Sequence, residues 1–400
     1  MGIVWTPDFS LVINGWDATK LVVSWQLDDV DDGISTLTAH IGNPDGQLSG
    51  YIHTETDMTL RYGYWNGSMS QPVTMKIKDK KEIFPTSHPC TITVVGMDCT
   101  ERLIGSTLTG NFKSGTKFTD QLNAILKAGK ITPDINVKDP PKQPEKSSIH
   151  NMTPHATIRW IFGMVDCVKP TAVGGGSTPG AAQVPFGKPD GFNGDVTQGY
   201  HPQIHDFNAA MKKTTPLYLD QIINKAGSRI LVAHLECAGI PGLQAKKCVT
   251  VQNVGSEASG KWYVKKCSTR YLIGHGYTNH LDLIRASIGK DGKPLPQPRV
   301  MYAKIYEKDA VWIGCREIDA DSQYTFVFGQ PGGDEPGSQQ LIQFDWGVKI
   351  QRARGAVEGA AIKGYELNNR KELSDTQKKP NGTPEPQSSI PQINVDTMMA

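Results

Sequence analysis

The chain has 400 residues, 42 Lys and Arg against 40 Asp and Glu, a formal charge of +2, and 38% apolar residues. That length predicts two or three domains, each able to bury a core, and the near-balance of charge argues against a protein devoted to wrapping nucleic acid, though not against a local basic patch. No segment approaches the roughly 18 uninterrupted apolar residues of a membrane-spanning helix, since even IRWIFGMVDCV is broken by charge.

The N-terminus, MGIVWTPDFSLVING, lacks a basic region followed by a long apolar stretch, so no ordinary signal peptide is expected. The first third alternates with period two. Met58, Leu60, Tyr62 and Tyr64 oppose Thr59, Arg61 and Gly63, and Val73, Met75 and Ile77 oppose Thr74, Lys76 and Lys78. Strands with one face in a core follow from that pattern. Asn43-Pro44-Asp45-Gly46 suits a reversing turn between two of them. The run Asp28-Asp29-Val30-Asp31-Asp32-Gly33 is the best local candidate for a cation. It lacks the terminal Glu spacing of a calcium loop, and a solvated turn is the expected reading.

The period then changes. Phe118, Leu122, Ile125 and Leu126 share a helical stripe, with Thr116 as the expected cap and Gly129 beyond the last turn. Residues 130–148, with DPPKQPEK, read as a loop. Thr153-Pro154 opens a second helix with Ile158, Ile161, Phe162 and Val165 as its stripe. Residues 170–203 read as a turn-rich insertion, and Thr215-Pro216 opens a third helix ending at Gly227.

From Ser228 short strands return: ILVAHLECAG, KCVTVQNVG, KWYVKKCSTRYL, YTNHLDLIRASIG, VMYAKIYEK, AVWIGC and YTFVFG. Tyr277 and Leu281 are expected to pack inward. In 341–350, Ile342, Phe344, Trp346, Val348 and Ile350 share a phase, for which a core face is favoured over an intersubunit face. The composition after about residue 372 predicts an extended tail. The fold class expected is mainly β with a few helices, as two barrel-like tube-forming domains plus inserted helical and loop regions. The boundaries are 1–110 for the first barrel-like domain, 111–227 for the helical and loop connection, 228–371 for the second strand-rich region and 372–400 for the tail.

Chemistry is hard to place. The glycines at 174–176 lack a following Lys-Ser/Thr, which disfavours a phosphate loop. His234 and Cys237 could share a metal with Cys248 or His275, but no compact second pair exists, so no metal and no cofactor is expected. The seven cysteines are widely spaced and read as reduced, buried thiols. Arg352, Arg354 and Lys363 are interrupted by Glu358 and read as an exposed loop, so no direct nucleic-acid role is predicted. No G-x-S-x-G elbow is present, paired carboxylates of a glycosidase cannot be nominated, and no catalytic residue is assigned.

PDFSLVING and IGNPDGQLSG, followed by Gly260-Lys261-Trp262-Tyr263-Val264 and then Gly276-Tyr277-Thr278, resemble the late-control tail protein family, baseplate hub proteins of contractile phage tails and related injection systems. The chain departs from that family in having Thr269-Arg270 where a His is usual and more than 100 residues after Tyr277. The resemblance implies a non-enzymatic homotrimer at a virion tail baseplate, or in an equivalent injection particle made in the host cytoplasm. Such a ring would adapt a hexameric tail tube protein to a trimeric spike protein and touch baseplate wedge proteins. Trp262, Tyr263, Tyr277, Phe344 and Trp346 are the candidate packing or interface residues. A wall-degrading hydrolase and a passive carbohydrate-binding module are the alternatives.

Overall fold

A computed structural model describes residues 6–65, 67–86, 89–139, 148–162, 165–167, 186–198, 231–256, 258–285, 299–318, 320–328, 341–348, 359–366, 371–378 and 393–394. The N-terminal strands are β1 Pro7–Ile13, β2 Trp16–Asp17, β3 Val22–Val30, β4 Thr36–Gly42, β5 Asp57–Tyr64, β6 Val73–Ile83, β7 Thr91–Met97 and β8 Ser106–Phe112. Helix α1 spans Phe118–Ala128, followed by β9 Thr132–Ile135, β10 Val137–Lys138 and β11 Ser148–Met152. Helix α2 spans Pro154–Phe162, then come β12 Asp166–Cys167, β13 Phe192–Gln198 and β14 Leu231–Ala238. The later strands are β15 Cys248–Gln252, β16 Gly260–Leu272, β17 Gly276–Arg285, β18 Arg299–Ala303, β19 Ala310–Cys315 and β20 Tyr324–Val327. β21 Leu341–Val348, β22 Gly359–Glu366, β23 Lys371–Lys378 and β24 Ile393–Asn394 complete them.

The molecule is mainly β, with two α-helices among the described residues, as the alternating patterns predict, and its largest sheet curls into a half-barrel. That sheet has 13 strands, in the order β2-β1-β5-β6-β7-β4-β3-β16-β17-β14-β21, with β15 attached to β16 and β20 to β15. Its ladders are antiparallel except for β15 with β20. The seam is β3 against β16, where seven residue pairs from Lys266↔Val30 to Leu272↔Ser24 join the first strands of the chain to those after residue 231. Smaller sheets are β11-β8-β13, β18-β19-β9, β10-β12 and β23-β22-β24.

Alternation predicts the core well. Met58, Leu60, Tyr62, Val73, Met75 and Ile77 are all buried, forming one cluster with Leu11, Trp25, Leu27 and Ile92. A second cluster holds Trp262, Val264, Leu281 and Leu283. A third packs α1 and α2 against β8, β13, β18 and β19 through Phe112, Phe118, Ile158 and Val311. Each large apolar side chain buried this way contributes about 1.5–3 kcal/mol.

Helix α2 follows its sequence signals: Thr153 Oγ1 accepts from the Ala156 amide at 3.1 Å and Pro154 is the first helical residue. Helix α1 has the expected stripe but a different cap. Lys117 holds the N-cap position without a side-chain bond, and the Thr116 hydroxyl instead donates to the Lys113 carbonyl at 2.8 Å. The third expected helix lies outside the described residues.

Strand β13 lies inside the segment read as a turn-rich insertion. Seven polar-rich residues pair with β8 because glycines face each other there: a Cβ on Gly194 would meet the Thr109 carbonyl oxygen at 2.1 Å, and one on Gly110 would meet that of Asn193 at 2.3 Å. Backbone approach, not an apolar pattern, specifies this pair. Strand β23 likewise falls mostly within the segment read as a tail, paired with β22. Of the described cysteines, Cys90, Cys99, Cys237, Cys248 and Cys267 are reduced thiols, whereas Cys315 is disulfide-bonded, which corrects the all-reduced expectation. No described helix is long and apolar enough to cross a membrane.

Candidate functional site

The acidic run is not a solvated turn. Trp25, Leu27 and Asp29 alternate along β3 on its buried face, and Asp31 continues the same phase just past the strand. Two carboxylates thus occupy positions where the pattern would place hydrocarbon, and each is held by a different part of the chain. Asp29 Oδ2 accepts from the Ala245 amide at 2.8 Å and the Tyr302 hydroxyl at 3.0 Å, and Oδ1 faces the Ser35 hydroxyl at 3.4 Å. Arg316 grips Asp31 with Nε at 2.5 Å and Nη2 at 3.1 Å.

The outer acids act likewise. Asp28 accepts from the Ser268 hydroxyl and faces Lys266 Nζ at 3.2 Å, both on β16. Asp32 accepts from Arg159 of α2 at 2.5 Å. Four aspartates therefore tie the end of β3 to β16, β18, the loop before β15, the chain after β19, and α2. Such a junction holds the two halves of the large sheet in one orientation, because a buried charge accepts few alternative partners.

Electrostatics follow burial. Asp29 is pushed up to about 7 by burial, which its three donors only partly oppose and which neighbouring Asp98 reinforces. Burial also pushes Asp31 up, and the Arg316 guanidinium opposes that push. For Arg316, burial disfavours the charge, but Asp31 outweighs it and raises the hold on the proton. Around Asp28 the hydrogen bonds from Ser268 and Gln26 and the charge of Lys266 overcome desolvation and lower its pKa.

A second lock closes the curl of the sheet. The Tyr64 hydroxyl at the end of β5 donates to the Gly239 carbonyl after β14 at 2.8 Å, and its ring lies 4.7 Å from that of Tyr277 at the start of β17. Trp25, Tyr62 and Tyr271 extend the aromatic contact, with Trp25 and Tyr62 centroids 5.2 Å apart. Gly239 has no room for a side chain: a Cβ would sit 1.7 Å from the Tyr277 ring.

Trp262 and Tyr263 are fully buried and Tyr277 is 5% exposed. Trp262 belongs to the second core cluster and its indole donates to the Ala258 carbonyl at 2.9 Å. Tyr263 flanks the ion pair, 6.0 Å from the Arg316 guanidinium. Phe344 is half-buried and meets Trp262 edge-on at 6.0 Å. The Trp346 backbone pairs with Ala233, and its side chain lies outside what is described. Ile342, in the same phase, is 53% exposed, and it lies where the register of β21 against β14 shifts, Gln343 pairing with Glu236 and Leu341 with Cys237.

The residues weighed as ligands separate. His234 is exposed on the outer face of β14, 2.7 Å from Asp282, while Cys237 is buried on the inner face. Among the described residues no group of three His, Cys, Asp or Glu could hold a metal ion. Arg352 and Arg354 lie outside the described residues. The sequence signal that would have found the junction is the phase of β3 itself, since Asp29 and Asp31 fall in register with Trp25 and Leu27.

No protein family profile and no curated protein matches the chain. Among solved structures it is similar to a 43 kDa tail protein of prophage MuSo2 from Shewanella oneidensis, at 14% identity over 73% of this chain and 99% of that one, with a TM-score of 0.46. It is similar to a tail protein from Neisseria meningitidis at 11% identity over 70% and 97%, TM-score 0.45. It is also similar to an Escherichia coli component of the type VI secretion system at 10% identity over 76% and 99%, TM-score 0.44. None of the three reaches a TM-score of 0.5, so function rests on this chain's own residues.

Proposed function

We propose that this chain is a structural baseplate hub of a contractile injection tail, three copies of which form a ring adapting a hexameric tail tube to a trimeric spike. The observation that carries the reading is the seam. β3 and β16 fuse strands from both halves of the chain into one continuous wall, and buried acids from the first half fix the second half against it. A subunit that transmits force between unlike symmetries needs such a rigid wall. The family-like motifs build it directly: Gly260 to Val264 opens β16 and Gly276 to Thr278 opens β17, the hairpin that carries the seam.

The turn of that hairpin is apolar and uncovered. Leu272 and Ile273 are 46% and 61% exposed, and the Ile273 amide donates to the carbonyl of Val23, itself 39% exposed, at 3.2 Å. An exposed aliphatic group at the end of a seam is suited to a neighbouring copy. Ile273→Glu should keep the fold, because the side chain faces solvent, and should shift the purified chain from trimer toward monomer in sedimentation velocity. A parent that sediments as a monomer at assembly concentrations, or a variant that assembles as the parent does, would count against the reading.

A further inference from the structure

Seven cysteines occur in the chain; Cys90, Cys99, Cys237, Cys248 and Cys267 are reduced thiols, and Cys315 is disulfide-bonded. Only Cys167 is left to complete that bond. Its side chain lies outside what is described, so the pairing rests on the count and on where the backbone puts the two residues.

A disulfide joins only residues whose backbones are close neighbours. β19 runs parallel to β9 with Ile313 opposite Ile135, and the Asn136 amide donates to the Ile313 carbonyl at 2.7 Å. Cys315 lies two residues past Ile313 and Val137 two past Ile135, which brings Cys315 level with Val137. Cys167, in β12, is the Cα partner of Val137. Both cysteines therefore neighbour the same buried residue.

Most of the other thiols are engaged or unreactive. Those of Cys99, Cys248 and Cys267 donate to the carbonyls of Ala310, Glu317 and Leu243 at 3.9, 3.2 and 3.4 Å. Burial pushes the thiols of Cys99, Cys237 and Cys267 up, which keeps them protonated and slow to exchange. Cys315 is partly exposed at the end of β19, where a soluble thiol can reach the bond. The residue after it is Arg316, whose guanidinium grips Asp31. The end of β19 is thus held on one side by the bond and on the other by the ion pair. Between the two cysteines lie β13 to β18, so the bond closes a long loop and mainly restricts the unfolded chain.

We infer that Cys167 is the partner of Cys315, and that their disulfide is a redox-controlled staple fixing the end of β19, and with it Arg316, to the connecting region at β12. In the oxidising direction one protein thiolate attacks a low-molecular-weight disulfide such as glutathione disulfide and expels one glutathione thiolate; the second protein thiolate then attacks the mixed disulfide and expels the other. Two protein thiols are oxidised, the external disulfide is reduced, and the two protons pass to the departing glutathione. The staple does not depend on the hub reading and is tested on the isolated full chain.

The chain is equilibrated with glutathione disulfide or with dithiothreitol, its thiols are blocked with iodoacetamide, and an unreduced tryptic digest is read by mass spectrometry. The oxidised sample should contain one cross-linked pair carrying residues 167 and 315, absent after dithiothreitol. The urea midpoint should be higher in the oxidised chain. Cys167→Ser and Cys315→Ser should each bring it to the reduced value and remove its response to dithiothreitol, whereas Cys90→Ser should keep that response. Arg316→Met should lower the midpoint less in the reduced chain than in the oxidised one. The inference is overturned by alkylation of Cys167 and Cys315 in the oxidised sample, by a pair joining Cys248 to Cys315, or by a midpoint indifferent to dithiothreitol. Equal effects of Arg316→Met in both redox states would overturn the positioning of Arg316.

Discussion

Replacing Arg316 by Met tests the junction at its most buried contact. The guanidinium makes two hydrogen bonds to Asp31, at 2.5 and 3.1 Å, with side chains 2% and 0% exposed. Met fills much of the same volume but leaves Asp31 buried without its cation, a loss of about 3–5 kcal/mol. That is a large fraction of the roughly 5–15 kcal/mol that stabilises a typical domain. The pH dependence has a definite sign. Burial already pushes the Asp31 carboxyl up, and without Arg316 nothing of comparable strength opposes it. Native Asp31 then keeps a proton that the unfolded chain releases near pH 4, so stability falls as pH rises from about 4 through the raised pKa. Urea unfolding should show a larger penalty at pH 8 than at pH 5, and Asp31→Leu combined with Arg316→Met should recover most of it. A loss under about 1 kcal/mol at pH 7, a penalty independent of pH, or a double variant no better than the single one would refute the reasoning.

Two further predictions concern the same architecture. Asp29 has its pKa raised to about 7, so the native state binds a proton that the unfolded chain loses above its ordinary value of 3.8, and parent stability should decline across that window. Asp29→Asn should flatten the profile of thermal midpoint between pH 4 and 8, and an unchanged slope would assign the dependence elsewhere. Gly239→Ala should displace the Tyr277 ring and cost about 1–3 kcal/mol, read as a lower urea midpoint, with the near-ultraviolet tyrosine signal altered. A parent-like midpoint would show that Tyr277 does not close the curl.

How much was legible depends on what specifies each element. Strands whose apolar residues alternate, such as β5 and β6, could be read directly, as could the stripe of α1 and that of α2 as far as Phe162, where the helix ends before Val165. β13 could not, since Gly110 and Gly194 specify its pairing through missing side chains. The junction was hidden for a different reason. Asp residues in a row ordinarily mark a solvated turn; the phase of β3 turns Asp29 and Asp31 inward, but their partners Ala245, Tyr302 and Arg316 lie more than 200 residues away. Exposure of Ile342 accompanies a register shift between β14 and β21 at that residue, which alternation does not encode.

The hub reading is tested most directly by a cryo-EM reconstruction of the assembled particle that contains this chain. The account predicts three copies in a ring on the tail axis, the β3–β16 wall facing the neighbouring subunits, with the tube on one side and the spike on the other. A single copy, or copies placed away from the axis, would contradict it.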